Sequence, residues 1–365
     1  MKRVGVLGCG AWATAVSRLI ADNVKILNEF NKEVKMFVHD EMCGDKSLSE
    51  VINSTHVNEV YLPGVTLPEN VVASCDIDDV VSKADVLAVA YPSRYVPWLL
   101  ERIQGGVKES AYFITFTKGL IVEPDFKCLR LVSDLIREKM KRPCVAVIGA
   151  TTALEVVSKH FTEATIGSTD VDIASEVKRL LTAPYFRLTI SKDEVGVELC
   201  GAMKNVIAIA AGVSDGLNLG DNTKSAVIRL GFWEMFQLMK ELFPNRGVQG
   251  VTLEESCGVA ELVVCMSHRS DKLPALGSDM DLMNIILGKS LATKRRLSEG
   301  SVTGDLQHPV TFVDGAEYAH VIYNILKARN RLDNYPLFVA VHEMCQGLLS
   351  PHHFLDRLRS HPVHR

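Results

Sequence analysis

The sequence predicts an α/β protein: an N-terminal Rossmann-type, doubly wound parallel sheet followed by a mainly helical C-terminal domain. Short runs rich in Val and Ile recur through the first half with helical patterns between them. A glycine turn follows the first run, and after about Val195 the texture changes to long apolar stretches at helical spacing.

The first element is the run Arg3-Val4-Gly5-Val6-Leu7, followed by Ala15, Val16, Leu19 and Ile20 at helical spacing and then by Val34 to Val38. Strand, turn, helix and strand thus occupy the first 40 residues. Further strands are predicted at Val86 to Ala90, Tyr112 to Phe116 and Cys144 to Ile148, with a late one at Phe186 to Ile190. Runs that are apolar on both faces suit parallel strands covered by helices on either side. Beyond them, Val197 to Gly212 is rich in Ala, Val, Ile and Met, as a helix at the centre of a domain would be, and Thr223 to Leu242 predicts a second long helix. Met266 to Asp271 reads as a loop. At 365 residues two domains are the default, and the pattern places them at 1–193 for dinucleotide binding and 194–365 for substrate.

Composition narrows the function. Lys and Arg number 40 against 44 Asp and Glu, a net charge of -4, which argues against nucleic acid as the main partner. The nine cysteines show no C-x-x-C pair and no ligand spacing, so no metal site is expected and a reduced, cytoplasmic protein is. The longest uninterrupted apolar stretch, Val206 to Val213, falls far short of the roughly 20 residues of a membrane span.

Gly8-Cys9-Gly10-Ala11-Trp12-Ala13 matches the dinucleotide pattern G-x-G-x-x-G/A. The first Gly permits the tight turn, and the second lets the backbone approach a pyrophosphate resting on the helix N-terminus. His39-Asp40-Glu41 ends the second strand, where an acid can bind the adenosine ribose and repel a 2'-phosphate, which favours NAD over NADP. An exposed acidic turn is the plainer reading of the same residues.

Lys204 lies within the most apolar predicted helix. A buried ammonium needs a lowered pKa or an anionic neighbour, and a lysine so tuned can act as a general acid. Asn205 beside it adds polarity, and Lys118, at the end of a predicted strand, stands where doubly wound sheets bind ligands. Two lysines in one cleft suit a small anionic substrate.

Several of these segments resemble the NAD-dependent glycerol-3-phosphate dehydrogenases of the eukaryotic cytosolic type. They are the glycine turn, Thr117-Lys118-Gly119, Val197 to Val206, Gly220 to Lys224, Ala226 to Gly231 and Glu255 to Ala260, within a likeness running from about residue 3 to Pro362. The resemblance implies interconversion of dihydroxyacetone phosphate and sn-glycerol 3-phosphate with NAD, in a homodimer. It implies that Lys204 donates a proton to the developing alkoxide, aided by Asn205, while Lys118 tunes that lysine and holds the substrate. It also implies that Arg269 grips the phosphate and that Gln307 closes over the cofactor. Ala153 would lie at the nicotinamide end, with His39 and Tyr95 at the aromatic positions.

The sequence departs from the family pattern at Thr151, Glu261, Cys265, Ser270 and Asp305. Glu261 keeps a charge for Lys204, but its extra methylene shifts the carboxylate by roughly an ångström, enough to disturb a positioned network. Cys265 and Ser270 stand at substrate-binding positions, and Asp305 puts an anion near the cofactor phosphates. A second reading follows: a diverged member with little or no turnover that retains dinucleotide binding. A β-hydroxyacid dehydrogenase shares the turn and a helix-borne Lys-Asn but lacks the other segments.

Overall fold

The structure, a computed structural model, describes residues 1–123, 128–267, 280–293 and 313–364. Eight strands form the main sheet: β1 (Lys2–Leu7), β2 (Phe30–Phe37), β3 (Val71–Ser74), β4 (Val86–Val89), β5 (Tyr112–Thr115), β6 (Cys144–Ile148), β7 (Thr162–Gly167) and β8 (Phe186–Ser191). Their spatial order is β8-β7-β6-β5-β4-β1-β2-β3. Every neighbouring pair is parallel except β6 with β7.

The order reverses at β1. The chain first winds outward through β2 and β3, then returns to the other flank of β1 as β4, β5 and β6. Register pairs Leu7 with Phe37 and Val89, and Val89 with Thr115, so the carboxyl ends of these strands share one edge. That edge, at the reversal, is where an open α/β sheet binds its ligand.

Two strands of the main sheet lay outside the predicted set. In β3 the burial alternates along Val71-Val72-Ala73-Ser74, too short a signal to stand out. In β7, Thr162-Glu163-Ala164-Thr165 carries polar residues into a run that is buried except at Glu163, because the strand lies inside the sheet between β6 and β8. The segment predicted as a loop from Met266 begins differently: Met266 and Ser267 close a helix over Glu261–Ser267, and 268–271 lie outside the described residues.

Helix α1 (Ala11–Val24) follows β1 and packs Val16, Leu19 and Ile20 into the sheet core. The second half centres on α2 (Glu194–Gly216), buried from Glu194 to Ser214. By length and composition α2 could cross a membrane, but its apolar window is wholly enclosed by protein. Helices α3 (Asp221–Leu242), α4 (Glu261–Ser267), α5 (Met280–Thr293), α6 (Asp314–Ala328) and α7 (Pro336–Cys345) surround it. Among the described residues no cysteine forms a disulfide, and Cys144, Cys200 and Cys265 are buried as small apolar groups.

Candidate active site

The glycine turn lies at the shared strand edge. Gly8 has φ +129°, and a Cβ there would stand 2.6 Å from the carbonyl oxygen of Ala90, so only glycine fits the approach of β1 to β4. At Gly10, by contrast, a Cβ would meet nothing within 4 Å. Gly10 is the N-cap of α1, with no side chain capping the helix and no acid in its first turn. Its first N–H groups therefore present positive potential to open space, which fits the pyrophosphate of a dinucleotide. The turn is braced from behind by a residue the sequence reading did not single out. Asn58, fully buried, donates to Cys9 O and to Thr14 Oγ1, both at 2.9 Å, and Thr14 Oγ1 in turn bonds Gly10 O at 3.0 Å.

Ala11 and Ala153 belong to one small apolar cluster, so Ala153, at the start of a short helix after β6, sits against the opening of α1. Ala13 is buried in the sheet core, and Trp12 meets Phe116 edge to face at 6.1 Å. His39 is exposed beyond the end of β2 and holds Tyr91 Oη at 2.8 Å. Tyr95 is exposed in the turn Ser93–Tyr95. Asp40 is exposed, whereas Glu41 accepts a hydrogen bond from Tyr61 Oη at 2.9 Å, so Asp40 is the less encumbered of the two carboxylates.

The lysine chemistry is concentrated at the junction of sheet and α2. Lys204 is 1% exposed, and its ammonium bonds Glu261 Oε1. Of the two escapes open to a buried ammonium, the fold supplies the anionic neighbour. Lys118 Nζ lies 2.7 Å from the same oxygen and donates to Thr151 O at 3.3 Å. Glu261, with its longer side chain, thus reaches both amines. At Thr151 the contact with Lys118 uses the backbone carbonyl, while the Thr hydroxyl turns back to Gly149 O at 3.1 Å. Cys265 lies one helical turn beyond Glu261 and is buried.

Among the described residues, two acceptors in this cluster have no hydrogen-bond partner, Asn205 Oδ1 and Glu261 Oε2. Buried acceptors of this kind are costly unless a ligand donates to them. A polyol or its ketone, with hydroxyl groups to donate, has the matching chemistry. Arg269, Ser270, Gln307 and Asp305 lie outside the described residues.

The comparisons with known proteins agree along the whole length. The signature described as the NAD-dependent glycerol-3-phosphate dehydrogenase N-terminus matches residues 3–174, and that described as its C-terminus matches 193–356. The chain belongs to the NAD-dependent glycerol-3-phosphate dehydrogenase family. Its relatives include the glycerol-3-phosphate dehydrogenase 1-like protein of Mus musculus, 39% identical over 364 residues, covering 99% of this chain and 98% of that one. The cytoplasmic NAD(+) glycerol-3-phosphate dehydrogenase of Drosophila ezoana is 36% identical, again with 99% and 98% covered. Among solved structures, glycerol-3-phosphate dehydrogenase of Plasmodium falciparum superposes with a TM-score of 0.84 at 30% identity, over 98% of this chain and 94% of that one. The Saccharomyces cerevisiae enzyme of the family gives 0.84 at 28%, over 98% and 99%. Within this family the Rossmann-type sheet and helical second half are the shared architecture, and NAD is the cofactor.

Proposed function

We propose that the chain interconverts dihydroxyacetone phosphate and sn-glycerol 3-phosphate with NAD, and that Lys204 handles the proton at the central oxygen. The observation that carries this reading is the buried cluster of Lys204, Glu261 and Lys118 beside two unpartnered acceptors, connected through Thr151 and Ala153 to the glycine turn. The same residues in place weigh against the reading of a diverged member with little turnover.

Gly8, Gly10, Ala11, Trp12 and Ala13 would hold the dinucleotide, with His39 and Tyr95 at the family's aromatic positions and Ala153 toward the nicotinamide end. NADH supplies the hydride when bound. Lys204 donates its proton to the substrate oxygen as negative charge develops there; Glu261 holds the ammonium before transfer and accepts a hydrogen bond from the neutral amine left behind. Asn205 orients the substrate hydroxyl, and Lys118 attracts the substrate and offsets the charge of its phosphate. Arg269, with Ser270 and Cys265, completes the phosphate and substrate contacts, since a guanidinium fork matches a phosphate. Gln307 and Arg269 would contact the cofactor, as the family resemblance implies.

We assign residues 1–193 to cofactor binding and 194–365 to the substrate, in a cytoplasmic homodimer. The test follows NADH absorbance with the purified full chain and dihydroxyacetone phosphate. Consumption that disappears in Lys204→Ala supports the proposal. NADH that binds but is never consumed overturns it in favour of the diverged reading.

A further inference from the structure

The hydroxyl of Tyr318 is the feature that the proposed chemistry leaves unused. Tyr318 lies on α6 and is fully buried, yet its Oη accepts from the backbone N–H of Leu120 at 2.9 Å and meets Ser93 Oγ at 3.2 Å. Between them runs Gly119, where a Cβ would stand 2.7 Å from both Tyr318 Oη and Ser93 Oγ, so the backbone after Lys118 is pressed directly onto these two hydroxyls. A neighbouring tie fastens the same two elements: Arg94 and Asp314, the first residue of α6, pair at 2.7 Å. One turn before Tyr318, Gly315 rests on the other lysine-bearing segment, since a Cβ there would lie 2.5 Å from the carbonyl oxygen of Asn205.

We infer that Tyr318 is a positioning residue for Lys118: its hydroxyl fixes the Lys118-Gly119-Leu120 backbone so that the Lys118 ammonium arrives at Glu261 and the substrate. The physical reason is leverage. Lys118 has a long, rotatable side chain, so its reach is defined only if its backbone is fixed, and Tyr318 holds that backbone from across the fold. Losing the hydroxyl leaves the Leu120 N–H buried without a partner and releases the turn.

This inference rests on the proposed role of Lys118, so the experiment separates the two. Steady-state kinetics with dihydroxyacetone phosphate and NADH are measured for Lys118→Ala, Tyr318→Phe and the double variant, together with NADH affinity by fluorescence. Tyr318→Phe is expected to lower kcat/KM for dihydroxyacetone phosphate roughly tenfold, mainly through KM, with NADH affinity unchanged. In the Lys118→Ala background it should cause no further loss. Ser93→Ala, which keeps the ring in place, should shift KM in the same direction by less. A Tyr318→Phe loss that is equal in both backgrounds, or absent, overturns the inference while leaving the function intact. Lys118→Ala with unchanged kcat/KM instead removes Lys118 from the proposed machinery, and the inference falls with it. Should Tyr318→Phe fail to fold, Ser93→Ala with an unchanged KM overturns the inference alone.

Discussion

Lys118 and Lys204 reach the same atom, Oε1 of Glu261, one from the carboxyl edge of the sheet and the other from the centre of α2. Two ammonium groups repel at such range, and a single carboxylate between them offsets that repulsion. Glu261 is itself 1% exposed and Lys204 equally so, so neither charge is screened by water.

Glu261→Gln should therefore do more harm than the loss of one surface ion pair. Breaking a buried pair by neutralising one partner costs about 3–5 kcal/mol, because the other charge stays buried. The expected result is a lowered midpoint in urea denaturation, with kcat/KM reduced as well because Lys204 is no longer held. A variant with wild-type stability would show that Lys204 is a neutral amine in the folded protein.

The two glycines of the turn should separate folding from cofactor binding. A Cβ at Gly10 meets open space, so Gly10→Val should unfold at nearly the wild-type temperature while NADH affinity falls at least roughly tenfold, since the side chain fills the place of the pyrophosphate. Gly8→Ala collides with Ala90 O in a conformation that L-residues resist, so it should lower stability by about 1–3 kcal/mol. Thermal melts and NADH fluorescence titrations check both.

The parts of the fold legible in the sequence were those with local cause. The glycine turn, the apolar strands β1, β4, β5 and β6, and the two long helices each announce themselves by composition or period within a dozen residues. The strand β7 did not, because its place antiparallel to β6 inside the sheet is a long-range choice that its Thr and Glu residues do not encode. The site divides in the same way. A lysine in an apolar helix is visible as an anomaly, so Lys204 stood out. Asn58, Glu198 and Tyr318 are ordinary residues in their local context, and only the tertiary fold gives each a distant backbone or hydroxyl partner.

The carboxyl-terminal segment is fastened by a buried pair that local pattern could not reveal either. His361 Nδ1 accepts from Val363 N at 3.1 Å, which leaves the proton on Nε2, and Nε2 lies 3.0 Å from Glu234 Oε1. Glu234 also accepts from the N–H groups of Leu337 at 2.7 Å and Phe338 at 2.9 Å, capping α7 from a distant helix. His361→Ala should cost about 1–3 kcal/mol by leaving a buried carboxylate oxygen with one donor fewer. Urea denaturation should register that loss while KM for both substrates stays unchanged; a shifted KM would place the terminus in the active site instead.

A second buried acid makes stability depend on pH. Glu198, on α2, accepts from Ser133 N at 3.2 Å and from Ser133 Oγ, and burial, reinforced by the charge of Glu194, pushes its carboxyl up from 4.5 to about 7. Arg137 and the Ser133 donors oppose that rise. Because the folded protein holds this proton more tightly than the unfolded chain, stability is greatest below the ordinary glutamate range and declines as pH rises from about 4.5 to about 7, then levels off. At about 1.4 kcal/mol per pKa unit, the decline attributable to Glu198 is roughly 3 kcal/mol. Glu198→Gln, which keeps an acceptor for Ser133 without the charge, should flatten that part of the curve and raise stability at pH 8 relative to the wild type. Urea midpoints across the range decide it: a wild-type profile that the substitution leaves equally steep would mean that other carboxyls carry the dependence.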